Sequence, residues 1–546
     1  MTDPLTLTWL AAAAAVALVP RAHRRLQLSL AKHPSLTGHS RMAQRVARLL
    51  PGYAYDEARF FAADEAPAEV VAQRRAGFGH LVATLNSRHA QSAAMTKRAR
   101  PAISDLQFTG AYRVPFQFSP YLRERLALGS FVQRSDGITI TDLDGEVFID
   151  LTGSYGVNLF GADFYKACMA EGLARAADLG PVLGHYHPAV AWNAEQLKAI
   201  SGLDEVSFHM SGTEAVMQAA RLARYHTKRT HLVRFSGAYH GWWEDVQPGP
   251  GNPMPPKNVY TLKERDADTL RVLRTRKDIA CVLVNPLQAL HPNKAAPGDS
   301  SLIDSGRAAA YDKAATVAWL KELREVCTAR GIVLIFDEVF MGFRLGVGGA
   351  QAYFGVQADM VTYGKTLGGG LPVGVVCGRG DLMRRYRTKR PADICFARGT
   401  FNSHPYVMAA MKAFLDRLDQ PATRSLYEGL EDTWTGRCEA LNKRLEAAGV
   451  PVRTANMSTV WTFLYTRPSR FNWLFQFYLR KHGLWLSWVG SGRMIFSLDY
   501  TEAAYEAVAD RIEAAALEMQ ADGWWSGPEL SNKEIKRRVF REMWQG

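Results

Sequence analysis

What this chain lacks narrows it first. No Cys-x-x-Cys pair occurs, and the cysteines at 168, 281, 327, 377, 395 and 438 are scattered. Neither a disulfide framework nor metal-ligand spacing follows from them, so a reducing compartment and a site without metal are expected. There is no internal repeat and no long low-complexity tract. The apolar stretch from Leu5 to Val19 ends at Pro20, short of the roughly 20 residues of a spanning helix. A secretory signal wants positive charge ahead of its apolar run, yet only Asp3 precedes this one, and Arg21, Arg24 and Arg25 come after it. Export is therefore not expected, and the arginines would hold the rest of the chain in the cytoplasm. Carboxylates are missing altogether between Asp3 and Asp56, where Lys and Arg number seven. Within that stretch, helical spacing over 40–50 puts Met42, Val46 and Leu49 on one face and Arg41, Arg45 and Arg48 on another, the pattern of a helix lying on an anionic membrane. The net charge of +13 also admits acidic partners. No nucleic-acid recognition motif accompanies it, and part of the excess sits in the basic tail Lys533–Arg538.

What is present centres on two apolar runs. Ile332–Phe336 follows a helical pattern that stops at Arg330-Gly331, and it leads into Asp337-Glu338-Val339. Such a continuous, β-branched run reads as a parallel strand buried on both faces. The second run, Val361-Thr362-Tyr363-Gly364, leads into Lys365. Ligands of open α/β sheets bind beyond the carboxyl ends of the strands, so Asp337 and Lys365 are expected in one crevice. An Asp able to hold a pyridinium nitrogen protonated and a Lys able to form a Schiff base are what pyridoxal phosphate requires of a protein. A capping Asp and a solvated Lys would be commonplace singly, so the case rests on the other motifs.

Those motifs occur in a consistent order. Val206–Met210 reads as a short strand, and Ser211-Gly212-Thr213-Glu214 opens an apolar-periodic helix. The free amides and dipole at such a start favour a phosphate group. A further strand, His231–Phe235, leads to Gly237-Ala238-Tyr239-His240-Gly241, where Tyr239 can stack on a ring whose other face Val339 covers. Pro248–Pro253 and Pro255-Pro256 read as a rigid loop near the site entrance.

The order of motifs resembles the class III pyridoxal-phosphate-dependent aminotransferases, in particular the glutamate-1-semialdehyde aminomutase branch. The matching stretches are 211–224, 237–241, Asp337–Arg344, Gly364–Gly374 and Gly399-Thr400-Phe401-Asn402, within a likeness covering roughly 110–520. The resemblance implies that Lys365 is the Schiff-base lysine and Asp337 the partner of the ring nitrogen. It implies further that Gly212 and Thr213 hold the phosphate, that Tyr239 and Val339 sandwich the ring, and that Thr400 reaches the phosphate of the neighbouring subunit in a homodimer with shared active sites. The implied fold is α/β, fold type I: a large domain with a mostly parallel sheet, a smaller α+β domain from the chain ends, and here an N-terminal helical extension. The corresponding boundaries are 1–100 for the apolar and basic extension, 101–185 for a segment feeding the small domain and pocket, 186–410 for the large domain, 411–530 for the small domain and 531–546 for the tail.

Departures bear on the substrate. Glutamate-using relatives carry E-P-[IV]-Q-G-E, where this chain has Asn285-Pro286-Leu287-Gln288-Ala289-Leu290. In those relatives the second acid gates an arginine, and Arg493 stands where that arginine is expected, without its gate. The glycine-spaced loop Gly153–Gly161 reads as a substrate wall, with Ser154 and Tyr155 as contacts. It also resembles aminotransferase domains of hybrid polyketide/peptide synthases, which act on carrier-bound chains. Three functions share these residues: amino transfer to a hydrophobic or acyl-carrier-bound carbonyl compound at the cytoplasmic membrane face, an intramolecular 2,1-aminomutase, and a silent scaffold. Retention of both Lys365 and Asp337 argues against the last.

Overall fold

The computed structural model describes residues 4–106, 114–126, 128–247, 249–254, 256–292, 309–486 and 492–545. Pro248 and Pro255 of the expected rigid loop, and residues 487–491 just before Arg493, lie outside them.

Strands β1 (Val132–Asp136), β2 (Thr139–Asp142) and β3 (Val147–Asp150) form an antiparallel meander. The large sheet uses β4 (Glu205–His209), β5 (His231–Phe235), β6 (Val259–Leu262), β7 (Ile279–Val284), β8 (Val333–Asp337), β9 (Met360–Gly364) and β10 (Gly374–Gly378). Their order is β4-β10-β9-β8-β7-β5-β6, with β10 antiparallel to both neighbours and the run from β9 to β6 parallel. Every residue of β7, β8, β9 and β10 is buried, because helices cover both faces. Side chains alternate: Leu334 and Phe336 enter one core, Val333 and Ile335 the other. The helix Lys313–Arg330 ends on Gly331 in the left-handed conformation, where the sequence places its stop.

After the hairpin β11 (Tyr386–Arg387) and β12 (Arg390–Ile394), β14 (Val460–Tyr465) lies between β13 (Val452–Met457) and β16 (Arg493–Ile495), antiparallel to both, while β15 (Leu484–Trp485) runs parallel to β3. Their aromatic core joins Trp434, Trp461, Trp473 and Trp524 to Phe60, Phe61, Phe78, Leu81 and Leu85. The later part of the N-terminal hundred residues is thus built into this second body. The earlier part is different. The helix Pro4–Leu30 reaches the large domain at its far end, where Lys263 N donates to Ala31 O at 2.9 Å, yet Trp9, Val16, Leu18 and Val19 stand exposed. Among the described residues no helix is long and apolar enough to cross a membrane. All the cysteines are free and buried.

Candidate active site

Residues from the carboxyl ends of β4, β5, β7, β8 and β9 surround a cavity of about 520 Å³. Its walls carry Gly212, Thr213, Tyr239, Asp337, Val339, Lys365 and Arg493. Strands β8 and β9 are neighbours, with Asp337 opposite Thr362, so both apolar runs deliver their polar residues to the same edge. Lys365 follows the last residue of β9 and adopts a φ of +47°, a left-handed conformation that costs a non-glycine residue about 1–3 kcal/mol and concentrates at functional sites.

Asp337 is buried and fully engaged. One oxygen pairs with His240 Nδ1 at 2.7 Å, while the other accepts from Val339 N and Thr362 Oγ1, each at 3.2 Å. The other ring nitrogen of His240, Nε2, is buried without a hydrogen-bond partner among the described residues. Lys365 Nζ lies 5.3 Å from the centre of the Phe340 ring. Burial lowers the lysine's pKa, the Asp337 carboxylate opposes the shift, and the Arg344 cation adds to it. Arg344 is itself fully buried and donates to Thr459 Oγ1 at 2.6 Å and Phe496 O at 2.7 Å, which fastens the wall after β8 to the sheet that carries Arg493.

The helix Gly212–Thr227 points its start into the cavity. Ser211 caps Glu214 N, and the Glu214 carboxylate reaches back to accept from Met210 N at 2.9 Å, which ties the strand end to the helix start. A Cβ on Gly212 would run into Val339, and one on Gly241 would meet Thr213 Oγ1 at 2.7 Å. Backbone therefore lines a tight concavity with free amides at a helix N-terminus, a setting for a phosphate. Together with a fixed carboxylate and a strained lysine of lowered pKa, it fits pyridoxal phosphate: Gly212 and Thr213 toward the phosphate, Tyr239 and Val339 toward the ring, Asp337 toward its nitrogen and Lys365 toward the aldehyde.

Not every expected residue arrives there. Ser154 and Tyr155 are exposed and outside the cavity wall, both with positive φ. The loop instead presents Gly156 and Val157. A Cβ on Gly156 would lie 2.8 Å from the Phe340 ring, and Val157 lines the cavity. Thr400 is exposed and away from this cavity. Sequence reasoning gave no role to His240 or Arg344, and it read Phe340 only as replacing a polar residue of ornithine-type members, a lean toward the aminomutase branch. The first stands in the quoted G-A-Y-H-G, where a polar residue after Tyr239 was the available signal.

Where glutamate-using relatives carry acids, Asn285 turns its amide to Tyr239 O at 2.9 Å, and Leu290 is fully buried in the core. Arg493 keeps no side-chain hydrogen bond or ion pair among the described residues, and its buried Nε is unpartnered. Burial draws its pKa down to about 10.

Comparison with known proteins agrees with this geometry. The class-III aminotransferase family matches residues 122–515. The glutamate-1-semialdehyde 2,1-aminomutase of Nitratidesulfovibrio vulgaris (strain DP4) is 35% identical over 339 residues, covering 62% of this chain and 77% of that protein. Among solved structures, a transaminase with pyridoxal phosphate bound superposes with a TM-score of 0.65 at 26% identity, over 80% of this chain and 99% of that one. An omega-transaminase from Sphaerobacter thermophilus gives 0.64 at 26%, over 79% and 98%. The chain belongs to the class-III aminotransferase family and is a pyridoxal-phosphate-dependent transaminase.

Proposed function

We propose that this enzyme moves an amino group from a donor bearing a carboxylate to a carbonyl acceptor of largely apolar body. The observation that carries this reading is Arg493: a cation facing the cavity with no carboxylate to neutralise it among the described residues, beside Phe340, Leu287 and Leu371. A buried cation without a partner is costly, and a substrate anion would relieve it. Where related enzymes swing an acid on and off that arginine, Leu290 is locked in the core. The donor carboxylate therefore has a constant receptor, and the rest of the pocket favours apolar substance.

Pyridoxal phosphate, when bound, supplies an aldehyde that condenses with amines and a ring that accepts the electron pair left at the donor carbon. The chain's own groups do the rest. Lys365, whose cation is disfavoured by burial, is free to take a proton from the donor carbon and return it. Asp337 is held in one orientation by His240, Val339 N and Thr362, so its carboxylate would meet the ring nitrogen from a fixed position. Phe340, whose ring centre lies 5.3 Å from Lys365 Nζ, and Val157 add apolar wall to the cavity. Thr400, exposed here, is read as serving the neighbouring subunit of a homodimer. A carrier-borne acyl chain satisfies the same acceptor description. The exposed Met42 and Leu49, with Arg41, Arg45 and Arg48, support attachment of the N-terminal segment to an anionic cytoplasmic membrane face.

The aminomutase name of the curated relatives sustains a second reading, transfer within one substrate. A half-reaction screen separates the two. Amino-acid donors should bleach the cofactor absorbance of the parent, and Arg493→Gln should raise KM for carboxylate donors by about tenfold or more while sparing simple amines. Turnover of an amino aldehyde with no external donor would favour the aminomutase instead.

A further inference from the structure

The helix Asn532–Gln545 opens with its own capping box, in which Ser531 N donates to the Glu534 carboxylate at 2.8 Å. It then divides cleanly into two faces. On the inner face, Ile535 is buried, Arg538 approaches Glu65 at 3.5 Å, and Glu542 meets the fully buried Arg470 at 2.8 Å and accepts from Tyr55. These three recur at i, i+3 and i+7, so one side of the helix is fastened to the second body. On the opposite side Lys533, Arg537, Phe540 and Trp544 recur at i, i+4, i+7 and i+11, and all four are exposed or half-exposed. Phe540 is 59% and Trp544 64% accessible, their rings 6.1 Å apart, with Arg541 beside them. A helix held this firmly by three contacts has no need to spend two large aromatic side chains on water.

The inner face of this helix, through Glu542, meets the N-terminal segment. Tyr53 OH donates to Glu542 at 3.3 Å, and Leu49 and Leu50, exposed at 74% and 41%, precede Tyr53 by at most four residues, about 15 Å of chain. Both chain ends therefore bring apolar and basic groups to one neighbourhood, joined through Glu542. No carboxylate occurs between Asp3 and Asp56, and the outer stripe Lys533, Arg537, Phe540 and Trp544 includes none. Aromatic rings interleaved with Lys and Arg on the outer face of a helix match the headgroup level of an anionic bilayer, where rings settle at the acyl boundary and cations meet phosphate.

We infer that the Lys533/Arg537/Phe540/Trp544 face is a docking surface for an anionic lipid bilayer, a second contact beside the N-terminal one. It deepens the membrane-associated reading of the N-terminal segment and rests on it only for location.

The test is co-sedimentation of the full-length holoenzyme with phosphatidylcholine vesicles, with and without phosphatidylserine. Parent protein should pellet with the anionic vesicles and be released by high salt. Phe540→Ser/Trp544→Ser should weaken that partitioning by about tenfold or more, with cofactor absorbance and soluble-amine turnover unchanged. Met42→Ser/Leu49→Ser, made separately, reports on the N-terminal contact. Parent-like binding by the Phe540/Trp544 variant overturns the proposal, and if the Met42/Leu49 variant then loses binding the N-terminal reading still stands. Equal pelleting with neutral vesicles also overturns it. So does a change of oligomeric state in the Phe540/Trp544 variant with vesicle binding intact, which would assign the stripe to a second copy of the chain.

Discussion

His240 and Asp337 meet at 2.7 Å with both side chains buried, one from the loop after β5 and the other from the end of β8. The contact decides which way the carboxylate faces. With His240 on one oxygen and Val339 N and Thr362 on the other, Asp337 cannot turn to seek water. Replacing His240 by Phe keeps the ring and removes the donor, so single-turnover rates with an amine donor should fall by about 10–100-fold, the usual cost of losing a partner behind a functional group. His240→Asn, whose amide reaches a position close to that of Nδ1, should recover most of the loss. Equal damage from both variants would mean that the ring serves packing alone.

Lys365 carries the covalent claim. Lys365→Ala should lower turnover by about 10²–10⁴-fold, and borohydride treatment followed by mass spectrometry should then find no cofactor mass on the protein. The parent should carry it on the peptide containing position 365. Retention of that adduct in the variant would relocate the reactive amine.

Glu338, next to Asp337, points away from the cavity and is fully buried, with Ala350 N donating to its carboxylate at 2.7 Å. Burial pushes its pKa from the ordinary 4.5 to about 8. The folded chain therefore keeps a proton that the unfolded chain gives up between those values, so folding stability falls as pH rises through that window and levels off above it. The slope reaches about 1.4 kcal/mol per pH unit. Glu338→Gln cannot ionise, and its melting temperature should decline less than the parent's between pH 6 and pH 9. Parallel curves for the two proteins would show that this carboxylate does not set the dependence.

Much of this site can be read along the chain because its signals are local. The run ending at Asp337 is buried on both faces and therefore written almost wholly in apolar residues, and the start of the helix at Gly212 is announced by Ser211 and Glu214 three residues apart. Lys365 and Asp337 share an edge because β8 and β9 pair, which the order of strand patterns already suggests. What the sequence hides are meetings made by the fold. His240 and Asp337 are 97 positions apart, and no spacing rule connects them. The loop after β3 reads as a wall built from Ser154 and Tyr155, yet its glycines are the residues that face inward. Gly153 abuts Ile495 and Gly156 abuts Phe340, and this leaves the two side chains between them outside. Direction of a loop is set by what it packs against, and that partner lies far along the chain.

That close approach yields the sharpest test of the pocket wall. Gly156 has a φ of +95°, and a methyl group there would stand 2.8 Å from the Phe340 ring and 3.5 Å from Lys365 Cδ. Gly156→Ala therefore meets two penalties: a backbone conformation that costs a residue with Cβ about 1–3 kcal/mol, and an overlap that must move the ring or the loop. Displacing Phe340 would admit water beside an amine whose low proton affinity comes mainly from burial, so catalysis should suffer beyond any loss of stability. Phe340→Leu removes the overlap and leaves the backbone cost, so a double-mutant cycle separates them. The pair should be less impaired in kcat than the sum of the single variants, by a coupling of about 0.5–3 kcal/mol as expected for residues in contact. Strict additivity would mean that Gly156 and Phe340 do not share the wall of this cavity.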